Sequence, residues 1–124
     1  MHAPPTIPAG MSGATLTWQV EDRDGTCIVT PSGRVDEATA SEFTERLIAE
    51  AGGARGKLVL DLSGIAYMSS RGLRALTLAQ REGTRAGSTL VLARPNETMR
   101  EILAISRYDM IFRIAETIEE ALLD

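Results

Sequence analysis

The sequence predicts an α/β domain: a mixed sheet of about five strands with four helices, in the order β-β-α-β-α-β-α-β-α. Three observations lead there. Residues 15–30 read as two β-runs joined by Asp24-Gly25, a strong hairpin signal. From about residue 37 onward, stretches with apolar residues at helical spacing alternate with short, mostly apolar runs of strand length. Such alternation joins parallel strands by right-handed helical crossovers, so the later strands should be parallel and the opening pair antiparallel. The 124 residues suffice for one domain with a real core, assigned to residues 14–124, and helices should cover one face of its sheet more than the other. Residues 1–13, with Pro4, Pro5, Pro8, Gly10 and Gly13, read as a disordered tail.

Taken in order, Leu16, Trp18 and Val20 alternate onto one face of the first strand, and Thr26 to Thr30 form the second. Pro31 cannot donate to a ladder, which predicts that the second strand is an edge or is bulged there. Gly33-Arg34-Val35-Asp36 leads into a helix over about 37–51, with Asp36 as N-cap, Ala40, Phe43, Leu47 and Ile48 buried, and Gly52-Gly53 as its stop. Leu58, Val59, Leu60 and Leu62 look like a doubly buried strand that Asp61 and Ser63-Gly64 bring toward a loop. Beyond the Ser69-Ser70 pair, Leu73, Leu76 and Ala79 recur at near-helical spacing, with Arg71, Arg74 and Arg81 on the other faces and a stop near Gly83 to Gly87. Ser70 is therefore the N-cap or its neighbour, its hydroxyl facing solvent beside unpaired N–H groups where an added phosphate would be well received. Thr89 to Ala93 make another strand. Pro95-Asn96 starts a helix with Met99, Ile102, Leu103 and Ile105 apolar, Ile111 to Ile114 form a last short strand, and the capping box Thr117-Ile118-Glu119-Glu120 opens a terminal helix through Leu123.

Composition excludes several classes of function. A net charge of −4 with scattered basic residues argues against a nucleic-acid partner. Cys27 is the single cysteine, so neither a disulfide framework nor a zinc thiolate cluster is available, and within Cys27-Ile28-Val29 it reads as a small core residue. No apolar run approaches the ~20 residues that span a bilayer, and the first residues lack the charged and apolar regions of a signal peptide, so a cytoplasmic protein without membrane contact is expected.

Catalytic chemistry finds no support either. A serine on a strand-to-helix turn invites a nucleophile-elbow reading, but Met68 occupies the place of the required glycine, and the single histidine, His2, sits in the tail. Gly52-Gly53-Ala54-Arg55-Gly56-Lys57 is one residue short of a phosphate-binding loop, lacks its serine or threonine, and precedes a strand where a true one follows. Asp22-Arg23-Asp24-Gly25 lacks the later ligands of a calcium loop and serves as a turn, and Glu119-Glu120 is a helix-surface pair. No catalytic residue, metal or cofactor is assigned.

Four motifs carry a resemblance: Gly33-Arg34-Val35-Asp36, Asp61-Leu62-Ser63-Gly64-Ile65, Met68-Ser69-Ser70-Arg71-Gly72-Leu73 and the segment 109–114. Together they make residues 15 to 123 look like the anti-sigma-factor antagonists, the bacterial members of the STAS domain superfamily. In that family the loop before the second helix reads aspartate, serine or threonine, any residue, glycine, leucine, and its serine is phosphorylated by the partner anti-sigma factor, a GHKL-type serine kinase. Aligned on Gly72-Leu73, the target is Ser70, with Arg71 in the variable place and Asp36 matching an aspartate near the phosphorylation loop. Ser69 stands where the commonest pattern has aspartate, as in a subgroup with serine there, and leaves a second hydroxyl beside the target.

The resemblance implies a binding protein, not an enzyme. Unphosphorylated, it would bind an anti-sigma factor and free a sigma factor; phosphorylation of Ser70 would abolish binding, and a serine/threonine phosphatase would reset it. ATP would belong to the kinase. Its binding face would comprise Asp36, Ser69, Ser70, Arg71, Gly72, Leu73 and Arg74, flanked by the segment 99–107. The alternative within the same fold is a STAS subunit of a lipid-transport complex or stress-signalling scaffold, with a structural serine.

Overall fold

The computed structural model describes residues 16–123; the tail assigned to residues 1–13 lies outside them. Strands β1 (Leu16–Arg23) and β2 (Thr26–Val35) form the hairpin, followed by α1 (Ala40–Gly53), β3 (Gly56–Asp61), β4 (Ile65–Met68), α2 (Ser70–Ala86), β5 (Ser88–Ala93), α3 (Glu97–Ile105), a 3-10 turn (Tyr108–Met110), β6 (Ile114–Ala115) and α4 (Ile118–Leu122). The main sheet runs β1-β2-β3-β5-β6 with β4 paired to β2; β1–β2 is antiparallel and every other pair parallel. Asp24 and Gly25 both have positive φ, the pattern of the two-residue turn that suits a hairpin's twist, and Asp22 Oδ1 accepts from Gly25 N at 2.9 Å.

The two faces are covered unequally, as expected. On one, α1, α2 and α3 pack Phe43, Leu47, Leu76, Met99 and Leu103 against Val29, Val35, Leu58, Leu60 and Leu92. On the other, α4 places Ile118 and Ala121 against Ile28, Val59 and Val91. That short helix is tied down at its end, where Lys57 Nζ and the Arg113 guanidinium donate to the carbonyls of residues 120, 121 and 123 in and beyond its last turn. Its capping box is displaced: Thr117 Oγ1 accepts from Glu120 N as predicted, but the Glu120 carboxylate accepts from Glu116 N, one residue before the cap.

Several expectations need correction. A sixth strand, β4, occupies residues read as loop: its four residues bury Ile65 and Met68 and expose Ala66 and Tyr67, so no period-two alternation marks it. Strand β2 is neither an edge nor bulged at Pro31. It pairs β1 from Thr26 to Gly33 and, on its other side, β3 through Cys27 to Val29 and then β4 from Gly33, with a register shift only between Gly33 and Arg34. In the antiparallel alternation set by the Arg23↔Thr26 pair, Pro31 turns its nitrogen away from β1, into the gap where β3 has left and β4 has not begun. The missing donor is therefore not missed.

Helix α1 begins at Ala40, not Glu37, and Thr39 is its N-cap. Asp36 instead starts the preceding turn: its carboxylate accepts from Ala38 N, and its own N–H donates to Thr39 Oγ1, which donates in turn to Arg34 O at 2.6 Å. The last strand shrinks to two residues because 108–110 wind into the 3-10 turn and Ile111 is exposed. Ile105 closes α3 facing solvent at 84% exposure, Ile48 is half-buried, and Val20, though on the face of Leu16, is half exposed. Cys27 is packed against the core but only partly buried. Burial and the neighbouring Glu50 carboxylate, 3.7 Å from Sγ, push its thiol up to about 11, so it stays protonated at neutral pH.

Candidate functional site

The Ser69-Ser70 pair sits where β4 ends and α2 begins, beside the carboxyl end of β2. The parallel register Val35↔Met68 sets Asp36 alongside Ser69, and Ser69 N donates to Val35 O at 2.8 Å. Extended backbone at Ser69 makes it the N-cap, its Oγ accepting from Gly72 N at 3.3 Å. Ser70 is thus the cap's neighbour, the first helical residue. Its side chain is exposed, with no hydrogen bond among the described residues. The two hydroxyls are physically distinct: one closes the helix, the other is presented to solvent.

Gly72 explains how α2 comes so close to the sheet. A Cβ there would lie 2.5 Å from Met68 Cγ and 2.7 Å from Val35 Cγ1, so only glycine lets the first turn rest on β2 and β4. Leu73 is buried beside it. Gly72 and Leu73 therefore shape the site from beneath, while Asp36, Ser70, Arg71 and Arg74 reach its surface.

Three charged or aromatic residues that sequence reasoning did not assign complete the surroundings. The Arg34 guanidinium lies 3.6 Å from the Asp36 carboxylate and 4.7 Å above the Tyr67 ring. Glu37 accepts from Arg71 at 3.2 Å, and Arg71 also reaches Ser41 Oγ at 3.4 Å, tying α2 to the start of α1. Arg34 was visible within its motif, but Tyr67 required knowing that β4 is a strand beside β2. Arg74 is exposed and lines a shallow groove between α1 and α2 with Ser41, Thr44, Glu45, Arg71 and Leu78. The segment 99–107 borders the site less directly. Asn96, capping α3, donates from Nδ2 to Ile65 O at 2.7 Å and to Ser63 O at 3.3 Å, pinning the start of β4, while Met99 and Leu103 are buried.

Chemically the site is a solvent-facing hydroxyl at the positive end of a helix, among arginines. Among the described residues no group of three or more histidines, cysteines or carboxylates is placed to hold a metal ion, and no helix is long and apolar enough to cross a membrane.

The STAS domain family model matches residues 17–121 of this chain. BtrV of Bordetella bronchiseptica is 33% identical over 98 residues, covering 79% of this chain and 84% of BtrV. The anti-sigma-F factor antagonist RsfB of Mycobacterium tuberculosis is 28% identical over 108 residues, covering 87% of this chain and 88% of RsfB. Among solved structures, an anti-sigma factor antagonist from Mycobacterium paratuberculosis superposes with a TM-score of 0.75 at 28% identity, covering 87% of this chain and 92% of the other.

Proposed function

The chain belongs to the STAS domain family, and on that premise we propose that it is a phosphorylation-switched anti-sigma-factor antagonist. Unphosphorylated, it binds an anti-sigma factor that is also a GHKL-type serine kinase, and so releases a sigma factor. The kinase transfers the γ-phosphoryl group of ATP to Ser70 Oγ: the bond to the β-phosphate breaks, the O–P bond forms, the hydroxyl proton passes to a base on the kinase, and ADP leaves. A serine/threonine phosphatase returns the hydroxyl by hydrolysis. The protein supplies no catalytic group and no cofactor, and works in the cytoplasm.

One observation carries this reading: Ser70 offers an exposed, unbonded hydroxyl, whereas the adjacent Ser69 hydroxyl is engaged as the cap. The helix end favours added negative charge there. Around it, Asp36, Ser69, Arg71, Gly72, Leu73 and Arg74 form the face that meets the partner, Gly72 and Leu73 by positioning the turn. The test is to isolate the GHKL kinase that co-purifies with the unmodified protein, incubate the two with ATP, and map the phosphate by mass spectrometry. One phosphate on Ser70 is expected. Phosphate on Ser69, or none, overturns the assignment.

A further inference from the structure

Ser70 and Arg74 stand four residues apart on the unbroken helix α2, so their side chains share one exposed face of its first turns. Neither has a hydrogen-bond or ion-pair partner among the described residues. The neighbouring cations differ: Arg71 is held by Glu37 and Ser41, and Arg34 by Asp36 and the Tyr67 ring. We propose that Arg74 is the intramolecular receiver of the phosphate on Ser70, the two closing an ion pair along the first turn of α2. The inference rests on Ser70 being the modified residue.

The physical case is specific to this pair. An acidic group placed four residues before a basic one is the favoured order on a helix, and the guanidinium fork matches two phosphate oxygens at once. Asp36 and Glu37, on the connection between β2 and α1, oppose negative charge at this end of the molecule, but each already faces an arginine of its own. Arg74 therefore meets the phosphate without first leaving a carboxylate. Glu45 lines the same groove without pairing with it. Modification would thus change the surface twice, adding negative charge at Ser70 and withdrawing a free cation one turn along the helix.

The experiment installs phosphoserine at position 70 during synthesis, without a kinase, and follows its second ionisation by ³¹P NMR. In the otherwise wild-type protein the phosphate should ionise about 0.3 pH unit or more below its value in Arg74→Gln. Arg74→Lys should fall between them. Arg81→Gln, which removes another unpaired arginine about two turns beyond Arg74 on α2, should match the wild type. Equal titration in wild type and Arg74→Gln overturns the proposal, as does a shift removed by Arg71→Gln and not by Arg74→Gln. A kinase that fails to modify Ser70 would count against the functional reading and leave this measurement standing.

Discussion

Helices α2 and α3 both begin just beyond a parallel strand, β4 and β5 respectively, and in both a side-chain oxygen caps the third helical amide: Ser69 accepts from Gly72 N, Asn96 from Met99 N. From there they diverge. At α3 the cap's amide nitrogen bonds to two carbonyls around β4, an acid, Glu97, answers the positive helix end, and Met99 fills the core. At α2 the cap side chain makes only the capping bond, accepted from Gly72 N, the third position is a glycine pressed on the sheet, and the first turn carries no acid. Helices α1 and α4 each have acids in their first turns, so α2 stands alone among the four. One start is finished by structure; the other is left for a negative charge that arrives later.

The largest effect should come from the third helical positions. Met99→Ala removes a fully buried side chain, and chemical denaturation should show a loss of about 2–5 kcal/mol. Filling the first-turn deficit should act on binding instead. Ser70→Asp gives α2 the acid that α3 has in Glu97, so its melting temperature should match or slightly exceed the wild type, while calorimetry should show the anti-sigma factor bound roughly a hundredfold more weakly. A folded Ser70→Asp with wild-type affinity would remove charge at this serine as the switch.

Gly72→Ala sharpens the contrast with Met99, since here adding a methyl should destabilise. The overlap with Met68 and Val35 should cost about 1–3 kcal/mol in denaturant titrations, despite alanine's better helix propensity. The serine pair should split next: Ser69→Ala loses the cap and about 1 kcal/mol, whereas Ser70→Ala stays within about 0.5 kcal/mol of wild type. Equal losses would mean that the cap is shared.

The smallest effect lies away from both helix starts. Because burial and Glu50 raise the Cys27 thiol in the folded state, its contribution is complete below the ordinary thiol range and fades as pH climbs through about 11. Stability should therefore fall with pH across that window, more gently in Cys27→Ala. Denaturation series at several alkaline pH values would show an unchanged slope if the thiol were indifferent to folding.

How legible this was depended on the range over which each feature is decided. The Asn96 start of α3, the serine pair before α2 and the threonine cap of α4 are local, set by residues within a turn of one another, and stood in the sequence. Strand β4 did not, because its partner β2 lies far back in the chain, Ile65 pairing with Gly33, and its burial lacks alternation. With β4 unseen, Tyr67 and its stack with Arg34 have no place, and Pro31 reads as an edge or a bulge because the gap between β3 and β4 that it faces is not visible. From sequence Asp36 reads as the cap that belongs to Thr39, since a turn between strand and helix can be closed by either residue. Nor could sequence say which arginines near Ser70 are already paired.

The gap at Pro31 should also divide the molecule in time. Strand β3 is held on both sides, by β2 and by β5, whereas β4 is held in the sheet by β2 alone, with Asn96 clasping its first residue. No hydrogen bond from Pro31 links the two halves of β2's inner edge, so a fluctuation that frees β4 need not propagate into β3. Amides of the segment leading to Ser70 should then exchange with solvent hydrogen sooner than those of residues 58–60, in a local opening separate from global unfolding. A kinase closing on Ser70 would meet a piece of chain that can yield to its active site while the rest of the domain keeps its shape.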